Sequence, residues 1–163
     1  MTTVAITGHR PERIKDMSLV EKALEDAYNE LEVSKVIQGM AAGVDLLAAK
    51  VAYRMEIPFV SARPWAGHKP RIADDYNYMM AMNYAVEVVN VDPSVKYRGP
   101  WVYHNRNEWM VDRAELLIAV WDGTKKGGTF NCIKYAQSKD LCVWWIDPDA
   151  GYGELIEPDE RIA

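Results

Sequence analysis

Short apolar runs alternate with stretches of helical periodicity along most of the chain. The runs at 4–6, 36–37, 58–60, 86–91, 116–121 and 141–146 consist mainly of Val, Ile, Leu, Ala and aromatic residues. Between them, apolar side chains recur at three- and four-residue spacing over 18–31, 44–55, 72–84, 103–114 and 130–138. Strands that are apolar on both faces and separated by helices predict a parallel sheet covered on both sides. The expected fold is therefore α/β, an open and mainly parallel sheet of about six strands with helices on both faces. Ser18 and Glu21 have capping-box spacing and are expected to open the first helix. The tail from Asp147 is acidic and bears Pro and Gly, which suggests a surface extension over 147–163 on a single domain with its core at 3–146.

Composition narrows the class. At 163 residues, 49% hydrophobic and 26% charged, the chain has the balance of one globular domain. The N-terminus starts on a strand pattern with no signal-peptide layout, and no run approaches a membrane span, so a cytoplasmic protein without a membrane partner is expected. Cys132 and Cys142 lack CxxC spacing, and His9, His68 and His104 are scattered, so neither a metal nor a cofactor is expected. The net charge of −5 argues against bulk affinity for duplex DNA, and nucleic acid is not expected as a partner. Arg63, His68, Lys69 and Arg71 form a local basic cluster, read as solvated surface.

Three loops carry candidate chemistry. Gly39-Met-Ala-Ala-Gly43-Val-Asp45 and Gly123-Thr-Lys-Lys-Gly-Gly-Thr129 each follow an apolar run and precede a helical pattern, and Thr7-Gly8-His9-Arg10 leaves the first strand. All three belong at the carboxyl edge of a parallel sheet, where helix N-termini offer unpaired N–H groups to phosphates. Asp45 has two readings, an acceptor for a ribose hydroxyl or an acid in the first turn of its own helix. Trp65 is nominated to stack on a base.

Two segments carry a resemblance. Gly39-Met-Ala-Ala-Gly-Val-Asp-Leu-Leu-Ala-Ala49 resembles the GxAxGID-type segment of the DNA-processing protein A family. Arg106-Asn-Glu-Trp-Met110, followed by Asp112 and Gly127-Gly128-Thr129, resembles the RNxxM…D…GGT course of the YpsA-like proteins. Both belong to the SLOG superfamily, with the lonely-guy phosphoribohydrolases. The resemblance implies a Rossmann-like sheet that binds a nucleotide or a nucleotide-derived small molecule, through Thr7, Gly8, His9, Arg10, Gly39, Met40, Ala41, Gly43, Asp45, Trp65, Arg106, Asn107, Gly127, Gly128 and Thr129. It also implies that Arg106 faces the ligand, where a guanidinium suits phosphate or ribose oxygens.

Catalysis is less well supported. The phosphoribohydrolase signature PGGxGTxxE ends in a Glu whose place here is taken by Cys132, and Lys125 and Lys126 stand where that signature has glycines. Arg106, Asp45 and Asp112 remain as catalytic candidates, with Glu108 and Asp122 as further acids. Three functions are carried forward: a module that senses or sequesters a nucleotide-derived compound, an N-glycosidic hydrolase of nucleoside monophosphates, and a single-stranded DNA binder. A homodimer through the Met- and Tyr-rich helix at 72–84 is expected.

Overall fold

A computed structural model describes residues 1–160 of the chain. Six parallel strands, β1 (Thr2–Gly8), β2 (Val33–Gln38), β3 (Phe59–Trp65), β4 (Glu87–Asp92), β5 (Leu116–Val120) and β6 (Cys142–Ile146), are joined by five α-helices. These are α1 (Met17–Glu30), α2 (Val44–Arg54), α3 (Asp75–Tyr84), α4 (Trp101–Asp112) and α5 (Gly128–Ser138). Alternate residues of each strand face opposite layers. Val4 and Ile6 pack under α1, α2 and α3, while Ala5, Leu117 and Ala119 pack under α4 and α5. The central strands β1 and β5 are thus buried on both faces, whereas edge strand β4, with Glu87 and Asn90 among its residues, is largely exposed.

Among the described residues the sheet has seven strands, because part of the supposed surface tail is structural. Residues 147–151 turn back, with the Gly151 N–H donating to the Asp147 carbonyl, and β7 (Gly153–Ile156) pairs antiparallel with β6. Glycine is required at 153, where a Cβ would lie 2.0 Å from Trp144 Nε1. The added strand satisfies the outer backbone groups of β6 and buries Ile156. Residues 161–163 of the predicted extension lie outside the described residues.

The first helix also starts differently from the expectation. Asp16, not Ser18, is the N-cap: its Oδ1 accepts from the backbone N–H groups of Ser18 at 3.1 Å and Leu19 at 3.3 Å, and from the Ser18 hydroxyl. A carboxylate at this point gains from the helix dipole as well as from the hydrogen bonds. Glu21 instead pairs with Arg54 of α2.

Strand order is β4-β3-β2-β1-β5-β6-β7. The chain winds outward from β1 to β4, then α4 returns it beneath the sheet to β5 on the other side of β1. Helices leave β1 and β5 on opposite faces, which opens a crevice beyond their carboxyl ends.

Candidate functional site

A cleft of about 420 Å³ fills that crevice. Its walls are the end of β1 (Thr7, Gly8, His9, Arg10), the start of α2 (Ala41, Asp45), the first turns of α4 (Tyr103, Arg106, Asn107) and the start of α5 (Gly127, Gly128, Thr129). Lys126, Glu12, Arg13 and His104 complete the rim.

The two glycine-rich turns differ in a way that their sequences do not reveal. Both helices have a glycine N-cap with positive φ, +91° at Gly43 and +97° at Gly127, and neither N-cap contributes a side-chain hydrogen bond. At α2 the N-terminus is buried: Val44 and Leu46 are covered, Pro11 lies against Gly43, and Asp45 in the first turn accepts from the Ala41 N–H of the preceding loop at 3.2 Å. At α5 it is open. In both helices the first intrahelical bond, from Leu47 N to the Gly43 carbonyl and from Asn131 N to the Gly127 carbonyl, leaves three N–H groups without a helix partner, but at α5 Gly127 and Gly128 are exposed beside the cleft. A Cβ at Gly127 or Gly128 would meet nothing within 4 Å.

Arg106 lies at the centre, and it is no surface residue. Only 6% of it is exposed, and its Nη1 donates to the Gly39 carbonyl while Nε donates to Asn107 Oδ1 at 2.8 Å. The Gly39 carbonyl is aimed there by β2 and β3. Buried Gln38 accepts from the Met40 N–H at 2.7 Å and donates to Ser61 Oγ at 2.8 Å, holding Met40 at φ +66°. Two hydrogen bonds leave up to three of the five guanidinium N–H groups for other partners. Burial pushes the Asp45 pKa up, and the Arg106 charge opposes it. Burial likewise lowers that of Arg106, opposed by Asp45, but a guanidinium remains charged.

At the rim, His9 Nε2 accepts from the Asp122 N–H at 3.1 Å, and the carboxylate of Asp122 accepts from Arg13 and from the Thr124 N–H. Burial holds the His9 pKa below its usual value, with Asp122 opposing. Cys132 is buried beside Thr7, and burial pushes its thiol up to about 12, so it is no nucleophile at neutral pH.

The structure brings together most of the residues singled out from sequence, but not all. Gly39 and Gly43 shape the β2–α2 loop without lining the cleft. Asp112 lies at the exposed end of α4, accepts from the Tyr135 hydroxyl at 2.7 Å and does not line the cleft. Met40 and Trp65 line a second cavity of about 310 Å³. Trp65 ends β3 rather than lying in a loop, and its ring packs among His68, Tyr97 and Tyr103. Of the basic cluster, Lys69 and Arg71 are exposed as expected, whereas Arg63, within β3, and His68 are part-buried. Arg63 donates to the Tyr78 hydroxyl at 3.1 Å, Arg71 pairs with Glu12, and His68 and Lys69 line the second cavity. Gln38 and Ser61 were missed, since a buried polar residue in a strand has no local signal beyond its own polarity, and Tyr78 because nothing in the α3 pattern marks which of its tyrosines turns inward.

The family model described as the YspA SLOG family matches residues 4–150. The chain belongs to this family. An uncharacterized SPbeta prophage-derived protein, YoqJ, of Bacillus subtilis is 28% identical over 158 residues, covering 86% of this chain and 91% of that protein. A UPF0398 protein of Bacillus thuringiensis is 22% identical, covering 85% and 84%. In fold, this SLOG chain is similar to DNA processing protein A of Streptococcus pneumoniae, at a TM-score of 0.72 and 17% identity. It is also similar to the Helicobacter pylori protein of that name, at 0.69 and 15%. It covers 89% of its own length in both matches, but only 50% and 65% of theirs. The target TM1055 aligns at a TM-score of 0.59 and 13% identity over 94% of this chain and 90% of that one. These likenesses correct the expectation about nucleic acid. The Helicobacter pylori structure describes a single-stranded DNA binding mode. Net charge therefore cannot serve to set nucleic acid aside for this fold: binding depends on the local charge of a cleft, not on the sum over the chain.

Proposed function

We propose that the cleft binds a phosphorylated nucleoside, with its phosphate at the N-terminus of α5 and its ribose toward Asp45 and Arg106. The observation that carries this reading is the open start of α5, where three unpartnered N–H groups adjoin a cleft walled by Arg10, Arg106 and Lys126. The neighbouring helix start is buried and presents the Asp45 carboxyl to the cleft, so the ligand's anionic end has one preferred seat. The protein senses or sequesters this compound rather than hydrolysing it. Cys132 stands where the phosphoribohydrolases carry their Glu, and its thiol is buried and neutral.

A second reading places single-stranded DNA across the same cleft, favoured by the binding mode described for the Helicobacter pylori neighbour. Calorimetry with nucleosides, their 5′-monophosphates and single-stranded oligonucleotides separates the two. The proposal expects binding of a monophosphate, none of the bare nucleoside, and the monophosphate recovered intact after overnight incubation. Affinity that appears only with oligonucleotides and grows with their length, with a steep salt dependence, would favour the second reading. No heat with any of these compounds would overturn both.

A further inference from the structure

The two cavities adjoin, sharing Arg10, Ala41, Tyr103 and Arg106 as a common wall. They differ in the groups they present. The first contains the α5 N-terminus and the polar side chains of Thr7, His9, Asp45 and Asn107. The second has an apolar and aromatic lining of Met40, Leu46, Trp65 and Tyr78, with Lys69 and Arg71 at its mouth. Within it, burial and the nearby charges of Arg106, Arg63 and Arg10 hold the His68 pKa down to about 4. At neutral pH the ring is therefore an uncharged planar surface, hydrogen-bonded through Nδ1 to the Tyr78 hydroxyl at 2.9 Å. At about 420 and 310 Å³, each cavity is near the small end of the roughly 300–1,000 Å³ typical of ligand sites. Each suits one nucleoside-sized group.

We infer that the two cavities are subsites for one two-lobed ligand, a nucleotide joined through a phosphate-containing linker to a second planar group seated in the Trp65–His68–Tyr78 cavity. The inference rests on the reading of the first cleft given above. The linker runs along the shared wall, to which the uncommitted N–H groups of Arg106 and the side chain of Arg10, without a hydrogen-bond or ion-pair partner among the described residues, both contribute. A bidentate guanidinium is suited to a bridging phosphate, and a pyrophosphate or phosphodiester carries its charge at that midpoint. The aromatic lining receives a flat base or comparable ring, and Lys69 at the mouth favours an anionic linker over a neutral one.

The test compares the 5′-monophosphates of the four common ribonucleosides with the symmetric pyrophosphate-linked dinucleotide of each, by calorimetry on the full chain. The wild type is expected to bind at least one dinucleotide about tenfold or more tighter than its monophosphate, because the second lobe binds at high effective concentration. Ala42→Phe, which narrows only the second cavity, and Lys69→Glu, which reverses charge at its mouth, are each expected to remove that advantage and leave monophosphate affinity unchanged. Equal affinity for monophosphates and dinucleotides in the wild type would overturn the two-lobed ligand while leaving the first cleft intact. A dinucleotide advantage that survives both substitutions would overturn the assignment of the second cavity. Absence of binding by every compound would instead count against the function proposed for the first cleft.

Discussion

Gly128 allows stability and binding to be driven in opposite directions by one methyl group. It begins α5, its φ lies outside the left-handed range, and a Cβ there would meet no protein atom within 4 Å. Nothing in the protein therefore requires a glycine at this position. Alanine should lower the conformational entropy of the unfolded chain without straining the folded one, a gain of about 0.4–1 kcal/mol. For a domain of this size that raises the melting temperature by about 1–4 °C. In the proposed complex, the same methyl would stand beside a nitrogen whose N–H donates to a phosphate oxygen at about 2.9 Å. Losing a hydrogen bond to a charged group costs about 1.5–3 kcal/mol, or about ten- to a hundredfold in affinity. Gly128→Asp extends the test by charge: a first-turn carboxylate favours the helix by about 0.3–1 kcal/mol and repels the phosphate. Calorimetry with a nucleoside monophosphate, paired with thermal melts of the free protein, reads both effects. Wild-type affinity in both variants would show that no phosphate sits at the start of α5, and a lowered melting temperature would refute the reasoning about open space.

Arg106→Ala is expected to destabilise the free protein by about 3–5 kcal/mol, since it strips a buried carboxylate, Asp45, of its compensating charge and orphans the Gly39 carbonyl; chemical denaturation measures it, and a loss below about 1 kcal/mol would contradict the burial described. Arg106→Lys should recover part of that stability but not the affinity for a phosphorylated ligand, because an ammonium lacks the planar fork. His68 is held neutral, so the folded state binds fewer protons than the unfolded one between about pH 4 and the ordinary histidine range near 6.5. Its contribution is fully present above that range and is lost as pH falls through it, at no more than about 1.4 kcal/mol per pH unit; His68→Gln should flatten the decline in melting temperature between pH 7 and pH 4. Buried Cys132 should stay unmodified by a thiol reagent at pH 8 until denaturant is added, leaving half-buried Cys142 as the thiol that reacts in the native protein; two fast-reacting thiols without denaturant would contradict the packing around α5.

The alternation of apolar runs and helical periods was enough to place six strands, five helices and the three loops that end at the cleft, because periodicity within a segment is a local property. Strand β7 was not legible: its four residues are too few to show a period, and they form a strand only because β6 presents an open edge and Gly153 lets Trp144 approach. The N-cap was misread by two residues because Ser18 and Asp16 both carry suitable side chains, and only the geometry shows which one accepts.

What the sequence determined by itself is the material of the site: glycine turns after strands, a guanidinium on the following helix, and a cysteine in place of a carboxylate. Which of two similar glycine turns is exposed was decided by packing: Val44 and Leu46 are covered, and Pro11, thirty-two positions before Gly43 in the chain, is pressed against it in space, while Gly127 and Gly128 stay open. Whether Arg106 is surface or centre was decided by the crossover of α4 beneath the sheet, which carries it to the Gly39 carbonyl. The joining of two cavities across that arginine follows from β1 lying between β2 and β5. Strand order is a global packing outcome, set by which apolar faces can be covered together, and no window of residues encodes it alone.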